Sequence, residues 1–159
     1  ITRCVDPKDA FDAIDWQLLF LIFGMLGLSL GIKETGTAEL VVGQLVKYSG
    51  SLGPLAVLAA VYIFTTVLTE LISNNAVAVL VGPIAIALAI ELGYDPRPFI
   101  MAVMFAASAS FATPIGYQTN TFVYGAGGYK FRDFMVVGLP LNILFAIVAV
   151  LVIPLFFPF

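Results

Sequence analysis

Between Lys47 and Glu91 the chain carries one charged residue, Glu70, in surroundings that are almost wholly apolar. No core strand or helix of a water-soluble domain needs so long an uncharged run, whereas a bilayer does. Composition agrees, with 61% of the 159 residues hydrophobic, 11% charged and a mean hydropathy of +1.06. With lipid as the solvent, the costly stretch is Thr69-Glu70-Leu71-Ile72-Ser73-Asn74-Asn75-Ala76-Val77. A carboxylate and small polar side chains at membrane depth each cost several kcal/mol unless something satisfies them, which makes this a candidate functional site.

Charge and special residues exclude several classes. The net charge of -3 is small and scattered, and no basic tract points to nucleic acid. There is no histidine, which removes the commonest metal ligand and general base. The single cysteine, Cys4, excludes a disulfide within the chain and a multi-cysteine metal site, and reads as a bystander thiol. No enzyme activity or cofactor is expected. The chain opens on Ile1 without the charged, apolar, small-residue order of a signal peptide, so it reads as a piece of a longer protein.

In order, residues 1–15 form a polar linker or short amphipathic helix, with Asp6-Pro7 as a start signal and Asp9, Asp12 and Asp15 at every third position. Trp16 opens an uncharged run to Ile32, about 17 residues and near the lower limit for a spanning helix. Gly24, Gly27 and Gly31 in that run favour close approach of another helix. Residues 37–49 have helical spacing with one wet face and are expected to lie on the membrane surface. Residues 55–91 form two apolar arms around Ser73-Asn74-Asn75, either two short spanning helices or a re-entrant hairpin. Residues 98–127 hold a Pro-Gly interruption at Thr113–Asn120 and read as a broken helix, and 134–157 as a last span.

The two interruptions offer complementary chemistry. A helix ending inside a membrane exposes carbonyls suited to Na⁺, and one starting there exposes N–H groups suited to an anion. Serine and asparagine supply both kinds of group and are preferred N-caps. Discontinuous helices paired around a midplane site characterise secondary transporters. No fixed positive charge lies near either interruption, so a bound anion would rest on dipoles, neutral donors and a co-bound cation. Glu70 is either a structural support or a coupling-ion carboxylate.

These residues resemble a known family. The order Trp16…Phe23-Gly24…Thr35-Gly36, then Thr69-Glu70-x-x-Ser73-Asn74-Asn75-Ala76 and Pro83, is similar to the C-terminal half of divalent anion/sodium symporters. The likeness continues through Asn120, Val123-Tyr124-Gly125, Phe131-x-Asp133 and Val137-Gly138-Leu139-x-Leu141-Asn142. These are sodium-coupled sulfate and dicarboxylate carriers with a citrate-transporter-like domain, within the wider ion-transporter superfamily. Gly116-Tyr117-Gln118-Thr119-Asn120 before a Gly-Gly-Tyr turn looks most like the sulfate-permease subgroup, which often has regulatory domains inserted in the membrane part.

The resemblance implies an all-α membrane fold: one repeat of an inverted-repeat transporter, with a re-entrant helical hairpin and a discontinuous helix. It implies that Ser73 and Asn74 touch both sodium and substrate, with Gly116 and Asn120 completing the sodium ligands. Asn75 stands where the family usually has threonine, and Asn120 matches the asparagine closing a Thr-Pro-Pro-Asn loop. Tyr117 and Gln118-Thr119 replace that loop's Thr and two prolines, narrowing and polarising the pocket, so a compact oxyanion such as sulfate is preferred. The substrate set is then Ser73, Asn74, Asn75, Thr113, Tyr117, Gln118 and Thr119.

The expected function is sodium-coupled symport of a divalent anion, sulfate or dicarboxylate, by alternating access. The alternatives are a cation/proton antiporter of the same superfamily using Glu70 and a non-transporting membrane anchor or truncated pseudo-transporter. Expected partners are Na⁺, a small inorganic or organic anion, the lipid bilayer, the missing N-terminal repeat and a second copy in a homodimer. The expected location is the plasma (inner) membrane, with several spans.

Overall fold

The computed structural model describes residues 53–159 throughout, and before them residues 7–12, 14, 20, 23, 24, 27, 31 and 35. Six helices are bounded among these: α1 (Pro7–Asp12), α2 (Pro54–Thr69), α3 (Asn74–Glu91), α4 (Pro96–Ser108), α5 (Gln118–Gly127) and α6 (Phe131–Phe156). No strand occurs among the described residues, in agreement with the expected all-helical fold. The expected surface helix 37–49 and Cys4 lie outside the described residues, as does most of the span 16–32. Within that span Phe20, Phe23, Gly24, Gly27 and Gly31 are helical. Among the described residues, a Cβ at Gly24, Gly27 or Gly31 meets no atom within 4 Å.

Helix ends follow from local chemistry. Pro54 opens α2 behind an extended Gly53, where its missing N–H costs nothing. Ser73 is extended and its hydroxyl accepts from the Ala76 N–H, starting α3. At the far end of α3, the Gly93 N–H donates to Ile90 O and the Tyr94 N–H to Ala89 O. Gly93 has φ 75, the left-handed conformation this closing motif requires. Asp95 then caps α4 by accepting from the Arg97 N–H at 2.8 Å, with Pro96 in the first turn. Gly128, also left-handed at φ 65, ends α5. The Asp133 carboxylate accepts from the Lys130 N–H to begin α6.

Among the described residues two helices are long and apolar enough to cross a bilayer, α3 and α6. At the usual rise, the 26-residue α6 is about 39 Å long and the 16-residue α2 about 24 Å. Helix α4 packs chiefly against α2 and α3, and α6 lies against α2 and α4. The shared core holds Leu58 and Tyr62 of α2, Val77 and Val81 of α3, and Phe99 and Val103 of α4. Alanines at 102, 106 and 107 are buried on α4, so small side chains let the three backbones approach. Thr65 and Thr66 bond back to the Val61 and Tyr62 carbonyls, satisfying their hydroxyls within α2.

The chain between α2 and α3 is the turn 70–73, and the chain between α4 and α5 is the unwound segment 109–117. Asn74 and Asn75 therefore belong to the first turn of α3. Gln118, Thr119 and Asn120 belong to the first turn of α5.

Candidate functional site

The turn 70–73 and the segment 109–117 are bonded to each other through side chains. The Thr69 hydroxyl donates to Ala107 O at 2.8 Å, capping the end of α4 from the end of α2. Asparagine amide atoms are assigned from their partners. Those of Asn74 place Nδ2 against Gly116 O (3.0 Å), Thr69 Oγ1 (2.8 Å) and Ala107 O (3.1 Å). In return the Ser110 hydroxyl donates to Thr69 O, and the Thr113 hydroxyl donates to Glu70 O at 2.9 Å. Gly116 passes so close that a Cβ there would fall on the Ser110 hydroxyl and the Thr69 carbonyl. Only glycine fits that approach.

Glu70 is the hub of this contact. Its Oε1 accepts from the backbone N–H groups of Phe111 (3.0 Å) and Ala112 (2.9 Å), and from Asn142 Nδ2 of α6 (2.7 Å). The unwound segment leaves these two peptide N–H groups without helical partners, and the carboxylate supplies one. No cation is bonded to Glu70 among the described residues. Its Oε2 is buried without a partner among the described residues, as is Asn142 Oδ1.

Asn120 closes the segment on itself, its Nδ2 donating to Ser110 O (2.9 Å) and Thr113 O (3.1 Å). Thr113 Oγ1 also accepts from the Gly116 N–H. The Thr121 hydroxyl donates to Pro114 O, fixing the first turn of α5 to the segment. Ser73, Asn75, Tyr117 and Thr119 are exposed, whereas Asn74, Thr113 and Asn120 are partly buried and Gly116 is buried. Tyr117 is extended at the N-cap of α5, with Gln118 the first helical residue.

Of the sequence-derived set, then, Asn74, Thr113, Gly116, Asn120 and Glu70 are joined in one hydrogen-bonded unit. Ser73 and Asn75 stand at the start of α3, and Tyr117, Gln118 and Thr119 at the start of α5. Two helix N-termini thus adjoin a single knot of polar groups. A cavity of about 330 Å³ lies on the α6 side of this knot, lined by Phe111, Asn120, Val123, Asp133, Val137 and Gly138 among others. Ser73, Asn74 and Asn75 do not line it.

Residue-level reading of the sequence missed Ser110, Gly138 and the role of Asn142. A signal for Asn142 was present, since it is the only polar side chain between Asp133 and the last residue. Gly138 lies one turn earlier on the same face, and a Cβ there would strike the Phe111 carbonyl.

Apolar helices interrupted twice, with the interruptions bonded together at helix ends, are the build of a helical membrane-transport segment. The family model described as "Citrate transporter" matches residues 1–159, and the chain belongs to that family. It is 41% identical over 157 residues to the uncharacterized transporter YfbS of Escherichia coli, covering 99% of this chain and 26% of that protein. It is 36% identical over 150 residues to sodium/sulfate cotransporter 1 of Chlamydomonas reinhardtii, covering 94% of this chain and 17% of that one. Identity to the sodium-dependent dicarboxylate transporter SdcS of Staphylococcus saprophyticus is 32% over 151 residues, 95% of this chain and 29% of that protein. The chain spans about a quarter of the length of YfbS.

Proposed function

We propose that this chain is the C-terminal part of a secondary transporter that moves a divalent anion, sulfate or dicarboxylate, together with Na⁺ by alternating access. The observation that carries this reading is the polar knot itself. It ties the turn 70–73 to the segment 109–117 by the bonds of Thr69, Asn74, Ser110 and Thr113. Relatives named as sodium/sulfate and sodium-dependent dicarboxylate carriers support the substrate class and the ion.

In this reading α2 and α3 form a re-entrant hairpin whose turn stops at membrane depth, and the chain is one of two inverted repeats. The N-termini of α3 and α5 supply N–H groups and a favourable dipole for the anion. Ser73, Asn75, Thr113, Tyr117, Gln118 and Thr119 surround it. Because Asn74 Nδ2 is committed to Gly116, Thr69 and Ala107, Asn74 serves Na⁺ through Oδ1, alongside Ser73, Gly116 and Asn120. Tyr117 and Gln118 at the mouth of α5 favour a compact tetrahedral oxyanion. Glu70, with Oε1 occupied by three N–H donors, supports the site instead of carrying the coupling ion.

Uptake of sulfate and of succinate by the full-length protein in liposomes, with and without a sodium gradient, tests the reading. Sodium-dependent uptake of one of the two, lost in Asn74→Ala, is expected. Uptake indifferent to both sodium and that substitution would sink it.

A further inference from the structure

We infer that Asn142 is a positioning residue for the anion site, holding the segment 109–117 in place from the last helix by way of Glu70. The inference rests on the proposed function for its link to transport, and on geometry alone for the link to the segment.

Asn142 is 6% exposed and is the one polar side chain in the apolar stretch of α6 that follows Asp133. An apolar residue there would pack against its neighbours without penalty. Among the described residues the asparagine instead makes one bond, 2.7 Å to Glu70 Oε1, and leaves its own Oδ1 buried without a partner. A purely structural contact gains little from such an arrangement, because an unsatisfied buried oxygen offsets much of what one hydrogen bond contributes.

The arrangement acquires a purpose from what else Glu70 holds. The same oxygen accepts the Phe111 and Ala112 N–H groups, in the unwound chain just before Thr113. Thr113 bonds back to Glu70 O and receives the Gly116 N–H. A continuous path therefore runs from α6 through Asn142 and Glu70 to Thr113, Gly116 and the start of α5. Gly138 adds a second touch, its missing side chain letting α6 lie directly on the Phe111 carbonyl. Both contacts fall on one face of α6, four residues apart. A shift of α6 along or about its axis is transmitted to the peptide groups of 109–117.

Full-length protein in liposomes provides the test. Asn142→Ala is expected to raise the apparent KM for the transported anion about tenfold, the scale of one hydrogen bond to a charged group, with a smaller change in maximal rate. Hydrogen exchange should quicken in peptides covering 109–117 and stay unchanged around Leu58, Val81 and Phe99. The double variant Glu70→Ala with Asn142→Ala should be no worse than Glu70→Ala alone, since both cut the same path. Glu70→Gln, which keeps an oxygen acceptor, should shift KM less than Glu70→Ala. Should Asn142→Ala not assemble, Asn142→Gln, with its amide moved by one methylene, carries the same comparisons.

An unchanged KM, exchange that quickens evenly through the core, or additive effects of the two substitutions would each overturn the inference. If the wild-type protein transports neither sulfate nor succinate, the transport reading fails. The exchange pattern then decides the link between Asn142 and the segment by itself.

Discussion

Two kinds of connection between helices solve the same problem in opposite ways. The turn after α3 is self-contained: Gly93 and Tyr94 close the helix on Ile90 and Ala89, and Asp95 caps the next helix two residues away. Its ion pair, Asp95 with Arg97, is also local and exposed. The turn 70–73 and the segment 109–117 have local bonds too, but they are tied to each other and to α6 by bonds that span 38 to 72 residues. Water can serve a turn at the membrane surface. A turn surrounded by lipid or protein has every peptide group to satisfy from the protein itself. The contrast separates a connection that only joins helices from one that is built to hold a fixed shape.

Breaking that contrast is hardest at Glu70. Glu70→Ala strips the acceptor from two peptide N–H groups and one amide at once, a loss of about 3 kcal/mol or more, read as a lowered melting temperature in detergent. A drop no larger than that of a surface substitution would show that the segment is held some other way. Gly116→Ala comes next, since its Cβ meets the Thr69 carbonyl and the Ser110 hydroxyl. About 2 kcal/mol of destabilisation is expected, together with loss of uptake, because backbone has to move. Asn120→Ala removes the two bonds that close the segment and should cost about 1.5 kcal/mol. Uptake assays on the same preparations check whether the loss follows the segment.

The smallest effect belongs to the local turn. Arg97 beside Asp95, first through its side-chain hydrogen bonds, holds the Asp95 carboxyl below the usual carboxylate value. A group depressed in the folded state lends stability above its unfolded value, near 3.9 by reference peptides, and loses it as pH falls through the lower folded value. Asp95→Ala should therefore flatten a slight stability slope in strongly acidic solution, and salt should weaken that slope in the wild type. Anion uptake should be unaffected, which sharpens the distinction between the two kinds of connection.

The self-contained turn was legible in the sequence, because Gly93, Asp95 and Pro96 declare their geometry to near neighbours. So were the two apolar arms and the polar residues between them. The start of the second interruption was less so. Ala109, Ser110, Phe111 and Ala112 read as a continuation of α4, and the sequence places the break at Thr113. The helix ends earlier because Glu70, 41 residues away, takes the Phe111 N–H that would otherwise bond within α4. Asn142 illustrates the same limit. Its isolation in an apolar helix was visible, but its partner was not, since nothing in spacing links it to Glu70. Glu70 itself stood out at once, but its three donors, from Phe111, Ala112 and Asn142, did not.

The span of the Glu70 contact also bears on how the protein is made. Asn142 follows Glu70 by 72 residues, which at ribosomal speed is a delay of roughly 4 to 14 seconds. During that interval α2, α3 and α4 have emerged with much of their shared core, while Glu70 lacks its last donor and α6 is unmade. The polar knot is thus finished only once Asn142 and its helix have been made. A ribosome stalled before Asn142 would display a hairpin whose carboxylate is incompletely bonded, a distinct target for the chaperones and proteases that inspect membrane proteins at birth.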